Sequence, residues 1–154
     1  MGDEKEHEKA KKYIRLAQVN AELFSKDPHT QVGAIILAED FSCIKSCGVN
    51  GFPRKMNDEK EGRWERPNKY KYVCHAEGNA IANAAMTGTA INNSVMVVTK
   101  FPCSNCAKLI LQAGIKKIYT LVPEYDSITW GEDAKISEEM FDEVGIKVVK
   151  FDQV

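Results

Sequence analysis

The chain has 154 residues, of which 44% are hydrophobic and 28% charged, and its formal net charge is -1. This profile predicts a single globular domain, residues 1–154, that buries a sizeable core. The near-neutral charge argues against a nucleic-acid partner. No apolar run approaches the roughly 20 residues of a membrane span, and the charged first twelve residues lack the apolar stretch of a secretory signal.

Five cysteines are present, and two of them form a Cys-x-x-Cys pair at 103 and 106. Cys43, Cys47 and Cys74 have no obvious disulfide framework, so we interpret them as small core residues. A redox pair of Cys43 and Cys47 on one strand face is the weaker alternative. The pattern is typical of a reducing compartment and predicts a cytoplasmic location.

The first third of the chain predicts a helix followed by a β-hairpin. Apolar residues recur at helical spacing and the run ends at Asp27-Pro28, after which two apolar segments flank a turn. The predicted elements are a helix at about 5–24, strands at about 31–38 and 42–49, and a tight turn at Glu39-Asp40.

A polar segment, residues 50–71, follows with little periodicity, and a loop of this length usually carries function. Between 54 and 71 it holds seven cations and four acids, a local charge of +3. The cations are Arg54, Lys55, Lys60, Arg63, Arg66, Lys69 and Lys71. A cationic loop favours a nucleotide over a free nucleoside as ligand.

The rest of the chain alternates helices and strands. Helices are predicted at about 75–87, 103–113 and 133–144, and strands at 94–99, 116–122 and 146–151. Alternation of this kind implies right-handed crossovers and parallel pairing. Together with the hairpin, it predicts an α/β layer fold around a five-stranded mixed sheet whose last two strands are parallel.

Two short motifs predict a catalytic zinc site. His75-Ala76-Glu77 opens one predicted helix, and Pro102-Cys103-Ser104-Asn105-Cys106 opens another. One imidazole and two thiolates make three ligands, which leaves the fourth tetrahedral position for water. Helix N-termini favour thiolates. The H-x-E and P-C-x-x-C pair is typical of zinc nucleobase deaminases.

Glu77 is the candidate catalytic residue, because it lies beside the ligands without being one. It would take a proton from the water that attacks C4 of a cytosine ring, protonate N3, and later protonate the departing amino group. The alternative is a closed structural zinc site, which needs a fourth ligand. His7 and His29 lie far upstream, and we expect the Cys74 side chain to turn away.

Several stretches resemble the deoxycytidylate (dCMP) deaminases, and the resemblance covers about residues 10–151. They are Val32-Gly33-Ala34, Asn50-Gly51-Phe52-Pro53-Arg54, Tyr72-Val73-Cys74-His75-Ala76-Glu77, Asn79-Ala80-Ile81 and the run from Phe101 through Gly114 to Lys116. The zinc motif alone indicates only the superfamily, whereas the Asn-Gly-Phe-Pro-Arg segment and the run through Gly114 are specific to the dCMP branch.

The resemblance implies a three-layer cytidine-deaminase-like fold and conversion of dCMP to dUMP for thymidylate synthesis. It also implies Zn²⁺, a homohexamer, activation by dCTP and inhibition by dTTP, with Mg²⁺ accompanying these triphosphates. Asn50 would hydrogen-bond the deoxyribose, and Arg54 or a neighbouring residue would help to bind the phosphate. Asn50, Gly51 and Arg54 would contribute to the effector site.

Two departures from the family pattern affect which family properties can be expected of this chain. Lys55 stands where the family usually has a glycine, which bears on effector control. Gly78 replaces a larger side chain, and we hypothesise that its absence widens the cavity for a 5-substituted cytosine or a triphosphate. Tyr125 and Trp130 follow the fourth strand, so either ring is a candidate to close over the nucleotide, and Tyr125 is assigned to substrate binding.

Other functions remain open at this point. The chain could deaminate another cytosine compound, such as dCTP, 5-substituted dCMP, deoxycytidine or a free base. An enzyme editing tRNA or single strands is disfavoured by the acidic balance. A non-catalytic zinc-fold scaffold is disfavoured by the presence of Glu77.

Overall fold

A computed structural model describes residues 2–154 and contains five helices and five strands within that range. The helices are α1 Asp3–Phe24, α2 Lys69–Tyr72, α3 Ala76–Thr87, α4 Ser104–Gln112 and α5 Gly131–Val144. The strands are β1 Gly33–Leu37, β2 Ile44–Val49, β3 Val95–Val98, β4 Lys117–Leu121 and β5 Lys147–Phe151. None of these helices combines the length and the apolar run that crossing a bilayer requires.

The strands form one mixed sheet in the order β2-β1-β3-β4-β5. Strand β1 pairs antiparallel with both β2 and β3, whereas β3, β4 and β5 run parallel. The predicted parallel pairing of the last two strands is confirmed. Helix α5 carries the chain back to the end of the sheet at which β4 begins, so β5 runs in the same direction as β4.

Side chains alternate between the two faces of the sheet and form two cores. On one face Ile35, Leu37 and Val97 pack against α1. On the other, Ile36 and Met96 belong to a cluster shared with α3, α4 and α5. Since all five residues of β1 are buried, that strand lies between two helical layers. The predicted three-layer α/β fold is therefore confirmed.

The hairpin connection is longer than predicted but keeps the predicted turn. Six residues, 38–43, connect β1 to β2, and Glu39-Asp40 form the centre of a tight turn in which the backbone N of Phe41 donates to the carbonyl of Ala38 at 2.9 Å. Phe41 adopts a positive φ of 64° and its side chain is buried against the rings of Tyr13 and Tyr119. The aromatic side chain thus anchors the connection in the core, which the polar residues around it did not indicate.

The predicted burial of the hairpin cysteines is wrong. Cys43 and Cys47 are exposed and Cys74 is half-buried, all as free thiols. Strand β2 is the edge of the sheet, so Cys47 has no strand beyond it, and Cys43 precedes the strand altogether.

The polar segment after β2 is folded around aromatic side chains. The rings of Phe52 and Trp64 stack at 4.1 Å, and Trp64 Nε1 donates to the carbonyl of Asp58 at 2.8 Å. The segment ends in α2, a single turn that periodicity could not reveal. It is therefore an ordered loop whose last turn faces the cavity described below.

Candidate metal centre and active site

Helix α3 brings His75 and Glu77 to the sheet because it lies directly on β2. His75 is the N-cap residue of α3 and Glu77 is in its first turn. A Cβ atom at Gly48 of β2 would lie 2.5 Å from the backbone N of Ala80 and 2.7 Å from the carbonyl O of Ala76. Only glycine allows this approach, so Gly48 sets the depth at which α3, and with it the site, is seated.

Two further contacts fix the entry into α3. Asn79 Nδ2 donates to the carbonyl of Val49 at 2.7 Å. Gly51 and Cys74 form an isolated antiparallel bridge with backbone hydrogen bonds of 3.0 and 2.7 Å. The backbone on both sides of His75 is thereby held to the end of β2.

The start of α4 brings the two cysteines to the same place. Cys103 is the N-cap residue of α4, and Cys106 is buried in its first turn. The Nδ1 atom of His75 lies 3.4 Å from the Sγ atom of each cysteine. All three donor atoms lie within 4.8 Å of one another.

This spacing fits zinc. Tetrahedral bonds of about 2.3 Å to sulfur and 2.05 Å to nitrogen would separate N from S by about 3.6 Å. Among residues 2–154, the metal-competent group contains no fourth His, Cys, Asp or Glu. His7 packs against Tyr119 and Phe151 in the core beneath α1. The residues thus form a three-ligand site with an open position, which disfavours the structural alternative.

The electrostatics of the cluster favour a thiolate at Cys103. Hydrogen bonding from Cys106 and His75 lowers the pKa of Cys103 to about 4 against the cost of burial. The same contact with Cys103, together with burial, raises the pKa of Cys106, and the Cys103 hydrogen bond raises the pKa of His75. We interpret the opposite shifts of the two cysteine pKa values as one proton shared between the two thiols. A bound dication would displace that proton, because both cysteines bind metal as thiolates.

Glu77 has the environment of a proton carrier. Its side chain is only 4% exposed, and burial raises its pKa to about 7. A carboxyl group with such a pKa can both release and accept a proton near neutral pH. We refer to His75, Cys103, Cys106 and Glu77 together as the zinc centre.

A cavity of about 560 Å³ opens beside the zinc centre, with His75, Glu77 and Cys103 in its lining. Four exposed residues at its margin, Arg66, Tyr70, Lys100 and Trp130, also line it. We call these four the cationic rim.

The two cations of the rim are available to a ligand. Among residues 2–154, neither Arg66 nor Lys100 forms an ion pair. The Lys100 Nζ atom lies 5.5 Å from the ring centroid of Trp130, and Tyr70 meets the same ring edge-on at 6.4 Å. The rim therefore presents unpaired positive charge next to aromatic surface.

Asn50 lines the cavity and is buried, with its amide group fully hydrogen-bonded. Its Oδ1 accepts from Ser25 Oγ at 2.8 Å and from the backbone N of Val32 at 2.9 Å. Its Nδ2 donates to Asp27 Oδ2 at 3.2 Å and to the carbonyl of Thr30 at 2.8 Å. Asn50 thus braces residues 25–32, which border the cavity.

Asp27 joins this brace to α2 through a buried ion pair. Lys69 Nζ lies 2.8 Å from Asp27 Oδ2, and the two side chains are 6% and 2% exposed. Burial favours the neutral form of Asp27, but hydrogen bonds from Lys69 and from the backbone N–H groups of His29 and Thr30 prevail and lower its pKa. The pair ties the segment carrying Arg66 and Tyr70 to the cavity.

Arg54 and Gly51 lie elsewhere. Arg54 donates to Asn83 Oδ1 on α3 and is absent from the cavity lining. Lys55, beside it, adopts a φ of 70°, a conformation that favours glycine and so explains why a glycine suits this position.

Tyr125 is also outside the main cavity. Its hydroxyl donates to Glu138 and accepts from Lys150 Nζ at 3.4 Å. Trp130, the other ring named from the sequence, does line the cavity.

The hypothesis that Gly78 widens the cavity is wrong. Gly78 is absent from the lining, and a Cβ atom there would meet Leu109 Cδ1 of α4 at an ordinary contact distance of 3.7 Å. The position faces the neighbouring helix, so a larger side chain would alter the contact between α3 and α4.

Several lining residues are not indicated by the sequence, among them Asp27, Lys100 and Asp133. In the sequence, Asp27 is notable only as the residue before a helix-stopping proline. Lys100 follows β3 and precedes the Cys-x-x-Cys motif. Its position at the end of a parallel strand is the sequence feature that could have identified it as a cavity residue. Nothing local singled out Asp133, which lies in the first turn of α5.

The sequence and fold are similar to those of known deaminases. A family model described as the cytidine and deoxycytidylate deaminase zinc-binding region matches residues 7–122. A probable deoxycytidylate deaminase of Caenorhabditis elegans is 43% identical over 124 residues, 78% of this chain and 59% of that protein. The Homo sapiens deoxycytidylate deaminase is 38% identical over 133 residues, covering 82% of this chain and 71% of the human protein.

A solved structure agrees. The dCMP deaminase of cyanophage S-TIM5, in complex with dCMP and dUMP, superimposes with a TM-score of 0.72 at 27% identity, covering 98% of this chain and 99% of the phage chain. With the three-ligand zinc site and the adjacent glutamate in place, the chain belongs to the cytidine and deoxycytidylate deaminase family.

Proposed function

We propose that the protein catalyses the hydrolytic deamination of dCMP to dUMP and ammonia, which supplies dUMP for thymidylate synthesis. The observation that carries this proposal is a buried glutamate beside a His-Cys-Cys metal site, in a cavity whose margin holds two unpaired cations. Relatives named deoxycytidylate deaminase and the phage structure with dCMP and dUMP support the choice of nucleotide.

His75, Cys103 and Cys106 would hold Zn²⁺, which supplies Lewis-acid activation of water when it is bound. Glu77 accepts the proton of the attacking water and delivers it to N3 of the cytosine ring. It then takes the second proton of that water from the hydroxyl group now bonded to C4 and passes it to the amino nitrogen, so that the C4–N bond breaks, C4=O forms and ammonia leaves. Burial of Glu77 suits both directions, because it raises the carboxyl pKa to about 7, where the group can accept and release a proton near neutral pH.

For the phosphate, we propose Arg66 and Lys100 as partners. Both line the cavity and neither is neutralised by an acid within residues 2–154. Lys69 is a poorer candidate, because Asp27 already balances its charge. Arg54 and Tyr125, named from the sequence, would have to move into the cavity to take part.

For the sugar, Asn50 remains the proposed contact. Its position in the lining supports this role, and a sugar hydroxyl would have to share or replace one of its four hydrogen bonds. Trp130 offers a ring beside the cavity for the base or sugar.

Effector control by dCTP and dTTP with Mg²⁺, the homohexamer and the cytoplasmic location stay predictions. Gly51 pairs with Cys74 just before α3, and Arg54 bonds Asn83 in the second half of α3, so an effector bound there would act on the helix that begins at His75. Turnover with each triphosphate and Mg²⁺, and the molar mass by light scattering, test the first two.

The deciding experiment is ammonia release from deoxycytidine, dCMP, CMP and dCTP by the zinc-loaded protein. We expect dCMP to give the highest kcat/KM. For deoxycytidine we expect a lower kcat/KM, mainly because its KM is higher. A preference for dCTP, CMP or deoxycytidine would redirect the substrate assignment. No release from any of the four would favour the zinc-fold scaffold.

A further inference from the structure

The first turn of α4 is capped by a side chain from a different helix. Asp133, in the first turn of α5, accepts two hydrogen bonds from Ser104 through separate oxygens. The backbone N of Ser104 lies 2.7 Å from Oδ2, and the Ser104 hydroxyl lies 2.6 Å from Oδ1. Ser104 stands immediately after Cys103 and two residues before Cys106.

This cap replaces one that α4 does not provide for itself. A helix leaves its first N–H groups without intrahelical acceptors, and the N-cap side chain usually satisfies one of them. Here the N-cap residue is Cys103, whose side chain makes no such bond. Cys103 is therefore free to point its sulfur at the metal site while Asp133 completes the start of the helix.

Asp133 is itself well fixed. A side chain at Gly131 would place its Cβ 2.1 Å from the carbonyl O of Tyr125, so α5 starts in close contact with the preceding loop. Ser137 Oγ donates to the carbonyl of Asp133 at 3.3 Å. Asp133 is half-buried and lines the cavity beside Cys103.

We propose that Asp133 is a positioning residue for the metal: its carboxylate fixes the backbone and the rotamer of Ser104, and thereby holds the Cys103–Cys106 turn in the geometry that receives zinc. The proposal rests on His75, Cys103 and Cys106 being the zinc ligands, and not on which nucleotide is deaminated. Partners one step removed from a metal typically alter its affinity by about 10–100-fold when they are removed.

The test is the zinc dissociation constant of Asp133→Asn, measured by competition with a chromophoric chelator. The amide keeps the shape but cannot accept both hydrogen bonds. We expect zinc affinity to fall about 10–100-fold and the thiolate absorption bands of the Co²⁺-substituted protein to shift. Glu132→Gln is the matched control, because it makes the same charge change in the same turn of α5, and within residues 2–154 the Glu132 carboxylate pairs only with Lys135.

A second pair of variants covers the case in which Asp133→Asn fails to fold. Ser104→Ala removes the hydroxyl bond and leaves the backbone bond, so it should weaken zinc binding in the same direction but less. Ser104→Thr keeps a hydroxyl and should restore the affinity. A purely structural role would lower the melting temperature of these variants and leave the zinc dissociation constant and the Co²⁺ spectrum unchanged.

The outcomes separate the two assignments. If the wild-type protein binds zinc tightly and the folded Asp133 and Ser104 variants match it within about twofold, well below the expected range, the role of Asp133 is overturned. If the wild-type protein holds no zinc, the ligand assignment fails and the proposal fails with it.

Discussion

The zinc centre and the cationic rim border the same cavity but are built differently. Every residue of the zinc centre sits at the start of a helix that packs on the sheet, as His75 does above Gly48. The rim comes from the loop before α2, from the single turn of α2 itself, and from connections after β3 and before α5. The residues proposed for the chemistry thus lie on helices packed against the sheet, whereas those proposed to select the ligand lie on segments held by a few side-chain contacts.

The largest expected effect is on the zinc centre. Glu77→Gln should keep the zinc and lower kcat by about 10²–10⁴-fold, because an amide cannot carry the proton. Zinc content and steady-state turnover of dCMP measure this. Glu124→Gln, another carboxylate of the cavity lining, is the control and should retain most activity. Near-normal turnover in Glu77→Gln would place the proton path elsewhere.

The next effect concerns the support of the rim. Asp27→Asn leaves Lys69 buried without its partner and should reduce the free energy of unfolding by about 3–5 kcal/mol at pH 7, with an increase in KM for dCMP. Asp58→Asn is the matched control: the Lys26–Asp58 pair has the same 2.8 Å separation but side chains 64% and 29% exposed, so little change is expected.

The same variant carries a pH test. The folded-state pKa of Asp27 lies below its ordinary value of 3.8. The contribution of the ionised carboxylate to the free energy of unfolding is therefore present above pH 3.8 and is lost as the pH falls through the lowered pKa. The stability difference between wild type and Asp27→Asn should therefore shrink in urea unfolding as the pH drops below 3.8. A difference independent of pH would mean that packing, and not charge, makes the contribution.

A smaller effect is expected for the rim cations. Arg66→Ala and Lys100→Ala should each raise KM for dCMP by about tenfold while leaving deoxycytidine nearly unaffected, since only dCMP carries the phosphate. Arg54→Ala is the comparison variant and should change KM less, because Arg54 points to Asn83. The reverse ranking would show that Arg54 moves into the cavity when the nucleotide binds.

The smallest effect lies in the loop that leads to the rim. Lys55→Gly should raise the free energy of unfolding by about 0.5–1 kcal/mol, because it relieves a left-handed conformation that costs lysine more than glycine. Lys55→Ala removes the same charge and keeps the strain, so it should show no gain. Thermal unfolding of both variants measures the difference, and an equal gain would attribute it to charge.

The features that the sequence predicts are those set by residues that lie close together in the chain. The ligands and Glu77 occupy two compact motifs whose spacing is set by helix geometry, and the alternation of elements fixed the parallel half of the sheet. The helix limits and the strand positions follow from periodicity, Pro28, Gly114 and Gly145. The hairpin and its turn at Glu39-Asp40 follow from the sequence, but the longer connection does not, because Phe41 turns into the core through a long-range contact that its polar neighbours do not indicate.

The remainder depends on contacts between distant segments. Lys69 is one of seven similar cations in its loop, and only its burial against Asp27, 42 residues away, distinguishes it. In the sequence, Asp133 is an ordinary acidic residue at the start of a helix. Only the packing of α5 beside α4 distinguishes it. Gly78 resembled a gap in the active site, yet the rotation of α3 turns it toward Leu109. Sequence alone determined the candidate metal ligands, the candidate glutamate and the parallel half of the sheet, because motif spacing and the alternation of neighbouring elements are local features. Tertiary structure decided which charges face the cavity, because that depends on how separate elements meet.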